Sequence, residues 1–234
     1  IRDRSKIVSG HDPWRYGEDL SRLTDLVECK WLDENLNISE SDVVLDVGCG
    51  TGRHVIWLAE KLRNGQNRVI GCDFIQENID FLNGKLEESG LRNGSGICCG
   101  ATDFAEQVEV EECDYVIGIG IIQYLTNEEQ MDRFANSCSE MIREGGQLIL
   151  KHPLSFTESY LLDYYREDMA TRYISMYYNL PDIMGFFIEN FELMSIERTF
   201  REEDPLVGEF LMEIERDPRA RQMWITLEKK KKDV

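Results

Sequence analysis

Residues 43–52 read Val-Val-Leu-Asp-Val-Gly-Cys-Gly-Thr-Gly, an apolar run that ends in three glycines spaced two apart. An apolar run bounded by turn residues predicts a buried strand. Glycine lets the backbone turn tightly and approach a ligand without a Cβ in the way. The segment that follows has Val55, Leu58, Ala59 and Leu62 at helical spacing. The start of such a helix offers free N–H groups to a negatively charged ligand group.

Outside this stretch, apolar segments of strand length alternate with segments of helical spacing. One helical stripe consists of Ile75, Ile79, Leu82 and Leu86, with Gly90 as its stop. The predicted strands are 42–47, 68–73, 97–100, 114–119, 147–151, 191–200 and 222–228. The alternation indicates a mostly parallel sheet with helices on both faces.

Other helices and loops are predicted at the two ends of the chain. An N-terminal helix is indicated by Leu20, Leu23, Val27 and Trp31. The aromatic stretch 160–178 is predicted to be a partly exposed helix, and the polar stretch 201–221 a long loop. A further helix starts near Pro181, a favourable first helical residue. Its buried residues are predicted to be Ile183, Met184, Phe187 and Ile188.

Length and composition limit the class of protein. The 234 residues suit a single α/β domain, and the first residue, Ile1, is compatible with a trimmed chain or a piece of a longer protein. A net charge of −19 repels nucleic acid and anionic membranes, and no apolar run has the length of a membrane span. The seven cysteines are odd in number and form no CxxC pair, which argues against disulfides or a metal site. We therefore expect a cytoplasmic protein.

Polar residues follow the second and third predicted strands. Asp73 stands 21 residues after Gly52, where an acidic residue accepts hydrogen bonds from ribose hydroxyls. Phe74 could pack on an adenine face. Thr102 and Asp103, after the third strand, could hold the adenine amino group, although Asp103 could instead cap a helix.

These motifs resemble, in order, those of class I S-adenosylmethionine (SAM)-dependent methyltransferases. The resemblance rests on residues 46–52, Asp73, Asp103 and 114–124, and it covers roughly residues 42–151. It implies a Rossmann-like three-layer sandwich with a seven-stranded, mostly parallel sheet whose last strand is antiparallel. It also implies SAM as the cofactor, with its methionine carboxylate at the glycine turn.

The candidate cofactor-binding residues of the central domain follow from these motifs. They are Asp46, Gly48, Cys49, Gly50, Gly52, Asp73, Phe74, Thr102, Asp103, Phe104, Ile119 and Gln123. Asp46 could brace the loop rather than contact the ligand. Arg53 stands where the dinucleotide pattern requires glycine or alanine, which favours SAM over NAD. A nicotinamide oxidoreductase remains the less favoured alternative.

The methyl acceptor is expected beyond the carboxyl ends of the strands, next to residues 119–124 and 151–153. His152 is a candidate catalytic base because histidine titrates near neutrality, and a structural histidine is the alternative. Tyr124 is the second candidate catalytic residue. Together with Gln123 it could orient substrate or cofactor, or it could belong to the core.

Two further segments are predicted to cover the site of this single domain, 1–234. The sequence His-Asp-Pro-Trp-Arg-Tyr at 11–16 resembles the start of some sugar and amine N-methyltransferases. This resemblance implies that Trp14, Tyr16 and Arg22 help to close the SAM site, with a packing role as the alternative. We thus interpret 1–40 as an N-terminal lid and helix, and 154–190 as a substrate cap. The aromatic residues of the cap suit a small ligand or a dimer surface.

The predicted function is transfer of a methyl group from SAM to nitrogen or oxygen of a small-molecule acceptor such as a sugar, an amine or another metabolite. One alternative is a protein N-terminal amine methyltransferase, although His152 and Pro153 stand where that family has Asp-Asn. Another is a SAM-binding or partner-binding module without turnover. The motifs of DNA amino and cytosine C5 methylation are absent, no nucleic-acid or membrane partner is expected, and the protein is expected to be a monomer or homodimer.

Overall fold

The computed structural model describes residues 18–167, 170–200 and 217–231, in which helices alternate with strands. The helices are α1 (Glu18–Asn35), α2 (Arg53–Lys61), α3 (Gln76–Glu88), α4 (Phe104–Gln107), α5 (Glu128–Met141) and α6 (Leu180–Phe187), and a 3-10 turn covers Ile122–Tyr124. The strands are β1 (Val43–Val47), β2 (Arg68–Asp73), β3 (Gly94–Cys98), β4 (Cys113–Ile119), β5 (Ile142–Ser155), β6 (Tyr160–Arg166), β7 (Thr171–Tyr177), β8 (Phe191–Arg198) and β9 (Ala220–Lys229). Within these ranges, no helix combines the length and apolar character needed to cross a membrane.

Seven strands form one sheet in the order β3-β2-β1-β4-β5-β9-β8. The first five run parallel, and β9 is antiparallel to both of its neighbours, β5 and β8. The chain leaves β1 towards β2 and β3 on one side and later returns to place β4 and β5 on the other. The predicted seven-stranded sheet with an antiparallel last strand is confirmed.

Helices cover both faces of this sheet, so the central strands are buried on both sides. Alternate residues of β1 serve two cores: Val44 packs with α1, α2 and α3, whereas Leu45 packs with α4, α5 and α6. The apolar residues Met131, Phe134, Ala135, Cys138 and Met141 of α5 are all buried, and Gly90 ends α3 with a positive φ of 66°. The result is the three-layer sandwich predicted from the sequence.

The stretch 160–178 is a β-hairpin of β6 and β7, and the helix predicted there is wrong. Aromatic side chains favour strands, and tyrosines pair across the two strands. Tyr164 faces Tyr173 and Tyr160 faces Tyr177, each with ring centroids 5.3 Å apart. The other part of the prediction holds, because Tyr164 is exposed whereas Tyr173 is buried.

Smaller differences concern strand bounds and two apolar side chains. Strand β3 begins at Gly94, three residues before its predicted start, and β5 extends past its predicted bounds at both ends. In α6, Ile183 and Phe187 are buried as predicted, but Met184 is only partly buried, and Ile188 follows the helix and is 57% exposed. Most of the loop predicted for 201–221 lies outside the described residues.

Helix α1 confirms the predicted N-terminal helix and lies against the antiparallel part of the sheet. The Trp31 ring of α1 stacks on the Trp224 ring of β9, with centroids 4.2 Å apart and planes 7° from parallel. The Trp31 Nε1 donates to the Glu197 carboxylate of β8 at 3.4 Å. These contacts hold α1 beside the carboxyl ends of the parallel strands.

Candidate functional site

The turn between β1 and α2 contains three glycines with positive φ, at positions 48, 50 and 52. The amides of Gly48 and Cys49 both donate to the Cys72 carbonyl, at 2.8 and 2.9 Å, which fixes the turn against the end of β2. A Cβ on Gly52 would overlap the Leu82 side chain, whereas a Cβ on Gly50 would meet no atom within 4 Å. The turn is therefore packed at one end and open to a ligand near Gly50.

The Asp73 carboxylate, at the end of β2, lies directly beside this opening. Its Oδ2 accepts from the Gly50 amide at 3.1 Å, and its Oδ1 accepts from the Ile75 amide at 2.9 Å and the Asn78 Nδ2 at 3.2 Å. A carboxylate has about four lone-pair positions, so Asp73 can still accept a ligand donor. Asp73 is thus an oriented acceptor attached to the glycine turn.

The other side of the opening is formed by the segment after β4. Strands β1 and β4 are neighbours at which the direction of sheet growth reverses, and ligands of α/β sheets bind at such a switch point. The Ile121 side chain reaches the Gly48 backbone. Ile119 is partly buried at the end of β4, and Gln123 is buried in the 3-10 turn. The crevice therefore lies between the glycine turn and residues 119–124.

The residues predicted to bind the adenine base differ in how exposed they are. Asp103 makes an ion pair with Arg133, and Phe74 is exposed beside Asp73. Phe104 is completely buried with its ring edge against Phe134, which favours a place in the core, and its place at the cofactor remains a prediction. The burial of Phe104 reflects its position as the first residue of α4, on the face that packs against α5. Thr102 is only partly buried.

A buried cluster of charged side chains lies behind the glycine turn. The Glu28 carboxylate of α1 is 1% exposed, pairs with Lys151 Nζ at 2.5 Å and with the Arg53 guanidinium, and lies 3.2 Å from His54 Nε2. His54 Nδ1 in turn lies 4.0 Å from the Asp46 carboxylate. Asp46 is thus part of this cluster, in keeping with the bracing role named as its alternative.

Burial determines the protonation of this cluster. Burial raises the pKa of the Asp46 carboxyl to about 7, and the negative charges of Glu28 and Asp73 act in the same direction. For Glu28, burial is outweighed by the charge of Lys151 and by bonds from His54 and Lys151, so that its pKa is lowered. The pKa of His54 is lowered by burial and by the charge of Arg53. Glu28 is therefore the ionised acid, and His54 is held neutral.

Sequence reasoning missed Glu28, although one signal was present. Glu28 stands three residues before Trp31 and four before Leu32, both of which are buried in α1. An acid on the apolar face of a helix implies a buried cationic partner. The identity of that partner, Lys151, could not be inferred, because the two residues are 123 positions apart.

Comparison with known proteins agrees with this geometry. A family model described as a methyltransferase domain matches residues 44–146, which contain the glycine turn, Asp73 and the segment after β4. Residues 44–146 are thus identified as a methyltransferase domain. The predicted resemblance to SAM-dependent methyltransferases is confirmed over these residues.

Two curated relatives of this chain are named as N-methyltransferases. The probable (S)-tetrahydroprotoberberine N-methyltransferase 2 of Papaver bracteatum is 27% identical over 135 residues, which cover 58% of this chain and 36% of that protein. The (S)-coclaurine N-methyltransferase of Papaver somniferum is 27% identical over 163 residues, which cover 68% of this chain and 44% of that protein. The chain thus spans less than half the length of these two relatives.

Solved structures share the fold at low identity. Coclaurine N-methyltransferase bound to N-methylheliamine and S-adenosylhomocysteine (SAH) superposes with a TM-score of 0.66 at 14% identity, covering 87% of this chain and 72% of that one. The glycopeptide N-methyltransferase MtfA in complex with SAM superposes with a TM-score of 0.63 at 10% identity, covering 94% and 97% of the two chains.

The crevice of this methyltransferase fits the chemistry of SAM. The open backbone at Gly50 and the start of α2 suit the carboxylate of the methionine part, and the oriented Asp73 carboxylate suits the ribose hydroxyls. These assignments remain predictions for the individual residues. Trp14 and Tyr16 lie outside the described residues, and Arg22 is described only through the backbone of α1.

The two candidate catalytic residues differ in accessibility. His152 has no exposed surface, and its Nε2 accepts from the Tyr178 amide at 3.0 Å. Burial lowers the pKa of His152 to about 3, which makes it a weak base. This geometry favours the structural alternative for His152. Tyr124 is partly buried in the 3-10 turn beside the crevice, and its catalytic role remains a prediction.

Proposed function

We propose that this methyltransferase transfers the methyl group of SAM to a small-molecule acceptor and that the accepting atom is an amine nitrogen. The observation that carries the proposal is the Asp73 carboxylate bonded to the Gly50 amide at an open crevice between β1 and β4. SAM, when bound, supplies a methyl group activated by a sulfonium. The protein then has to orient the acceptor in line with that group and exclude water.

The choice of nitrogen over oxygen rests on proton chemistry. A hydroxyl acceptor requires a base to remove its proton, whereas a neutral amine already has a lone pair. The candidate base, His152, is buried and hydrogen-bonded. An amine acceptor therefore places fewer demands on the described residues than a hydroxyl does.

Charge supports the same choice. The net charge of −19 attracts cations, and most aliphatic amines approach as ammonium ions at neutral pH. An ammonium has no lone pair and must first release a proton, but with a pKa of about 10 it gives that proton to water far more readily than an alcohol does. The curated relatives from Papaver bracteatum and Papaver somniferum are named as N-methyltransferases. We infer a small organic amine as the acceptor class.

The hairpin of β6 and β7 is proposed as the acceptor cap. The Tyr178 hydroxyl, just after β7, donates to the Leu125 carbonyl at 2.6 Å, which links the cap to the segment after β4. The hairpin also presents Leu161, Tyr164 and Tyr165 to solvent. Exposed aromatic rings on an element that is linked to the segment after β4 suit an acceptor with an apolar body.

Binding of SAM, SAH and NADH is measured by calorimetry, and transfer is measured with methyl-labelled SAM and matched sets of amines and alcohols. We expect binding of SAM and SAH only, and label on amines only. Asp73→Asn should weaken SAH binding by about 1–3 kcal/mol, which is about 5- to 150-fold. The control is Asp80→Asn, on the exposed side of α3. Tight SAM binding without transfer would indicate a binding module, label on alcohols would overturn the amine assignment, and NADH binding would favour an oxidoreductase.

A further inference from the structure

The buried carboxylate of Glu28 connects α1 to both walls of the crevice. Its Oε1 binds Lys151 Nζ, and its Oε2 binds Arg53 and approaches His54. Arg53 is the first residue of α2, directly after Gly52. Lys151 belongs to β5, and its carbonyl accepts from the Gly120 amide at 2.9 Å. One side chain of α1 thus reaches residues adjoining the glycine turn and the segment after β4.

Separating Glu28 from Lys151 and Arg53 would cost free energy, and this cost couples the positions of the three side chains. Glu28 is 1% exposed, and the Lys151 side chain is 9% exposed. Removing one partner from a buried ion pair leaves an uncompensated charge, which is strongly unfavourable. Removing Glu28 would leave the Lys151 charge buried without its partner, so the docking of α1 and the positions of Lys151 and Arg53 favour one another.

Other contacts orient α1 in the same direction. Asp25 of α1 also pairs with Arg53, and Asp33 pairs with Lys61 at the other end of α2. These two pairs are exposed, and exposed pairs contribute little. Glu28 is the buried member of the set, so it carries most of the electrostatic coupling between α1 and α2.

We propose that Glu28 is a positioning residue for cofactor binding, which couples the docking of α1 to the arrangement of the glycine turn. The proposal rests on the proposed function only in taking SAM and SAH as the ligands. Glu28 acts through Arg53, His54 and Lys151 and does not itself touch the ligand. Because coupling is reciprocal, docked α1 favours the ligand, and bound ligand favours docked α1.

The first test compares Glu28→Gln with the matched variant Glu34→Gln, whose residue lies on the exposed side of the same helix. The probe is SAH, measured by calorimetry, together with thermal unfolding in the absence of ligand. We expect Glu28→Gln to weaken SAH binding by about tenfold or more and Glu34→Gln to change it less than about twofold. A lower unfolding temperature with unchanged SAH affinity would mean a purely structural role and would overturn the proposal.

A second test uses the double variant of Glu28→Gln with Lys151→Met. Removing both charges avoids an unpaired buried charge, so SAH affinity should fall by less than the product of the two single effects. Multiplicative effects would contradict the coupling. Failure of the unaltered protein to bind SAH would instead refute the proposed function. The two proposals can therefore fail separately, because one is tested in the variants and the other in the unaltered protein.

The third test needs no variant and covers the case in which Glu28→Gln does not fold. Hydrogen exchange of the unaltered protein is followed with and without saturating SAH. Reciprocal coupling predicts slower exchange in α1 around Glu28 when SAH is bound, with α5 as the internal reference. Equal exchange in α1 with and without SAH would overturn the proposal.

Discussion

Asp46→Asn should stabilise the ligand-free protein, and the gain should depend on pH. Asp46 is 2% exposed, and its Oδ2 has no hydrogen-bond partner among the described residues. Asparagine has nearly the same shape and carries no charge. The substitution therefore removes the cost of ionising a buried carboxyl while leaving the packing of β1 intact.

The magnitude follows from the pKa of Asp46, which burial raises from an ordinary 3.8 to about 7. Because the folded-state pKa is the higher one, the stability contributed by the bound proton is present below pH 4 and is lost as pH rises through 7. Each tenfold change in the dissociation constant is worth about 1.4 kcal/mol, so the full loss is about 4 kcal/mol. Between pH 5 and pH 8, the advantage of the variant should grow by about 2–3 kcal/mol.

The assay is urea unfolding of both proteins at several pH values from 5 to 8.5, without SAM. The quantity compared is the difference in free energy of unfolding between variant and unaltered protein. The control is Asp132→Asn, which removes an acid at an exposed position of α5. A difference for Asp46→Asn that varies with pH no more than that of the control would refute the reasoning, because it would mean that Asp46 titrates alike in the folded and unfolded states.

Three further substitutions test other parts of the structure. Gly52→Ala forces alanine into a φ of 81° and against Leu82, so it should destabilise the fold by about 2–4 kcal/mol in urea unfolding; a loss below about 1 kcal/mol would contradict the packing. His152→Ala removes a buried ring and the bond to Tyr178 and should cost about 2–4 kcal/mol at pH 7.5. This cost should shrink as pH falls below 6.5, because the imidazole of the unaltered protein is then protonated in the unfolded state but, with a pKa of about 3, stays neutral in the folded state. A slower transfer rate with unchanged stability would restore His152 as a candidate base. Phe104→Ala should cost about 3–5 kcal/mol, and a loss of SAH affinity without loss of stability would return Phe104 to the cofactor site.

The parts of the fold that the sequence predicts well are those with a single consistent pattern. Strand β2 has its predicted bounds because an apolar run stands between polar turns. Strand β3 begins with Gly94, Ser95 and Gly96, which carry no apolar side chains. Backbone pairing with β2 makes them a strand, and such long-range pairing leaves no local pattern.

The hairpin was mispredicted because tyrosines at 160, 164, 173 and 177 satisfy two periods at once. Spacing by four suits one face of a helix, and it equally suits one face of a strand. Pairing of the two halves decides between them. The sequence between β6 and β7, residues 167–170, contains an aspartate but no glycine, proline or asparagine that would indicate a turn.

In the candidate site, too, the residues of a local sequence motif were predicted, and those brought together only by folding were not. Spacing within one strand–turn–helix unit identifies the glycines and Asp73, because the motif is local. Burial separates Phe104 from its neighbours Thr102 and Asp103, although the three residues are almost adjacent in sequence. The buried cluster joins α1, β1, α2 and β5, and only the folded chain brings these four elements together.

The parallel stack of Trp31 on Trp224 allows the contact between α1 and β9 to be detected by spectroscopy. Two indoles 4.2 Å apart and 7° from parallel are close enough for their electronic transitions to couple. Where the two transition dipoles are twisted relative to each other, such coupling produces a paired circular-dichroism band, which vanishes when either ring turns away. The tryptophan pair is therefore an intrinsic spectroscopic probe of the docking of α1. The rate of docking can be followed with it by stopped-flow circular dichroism, without an added dye.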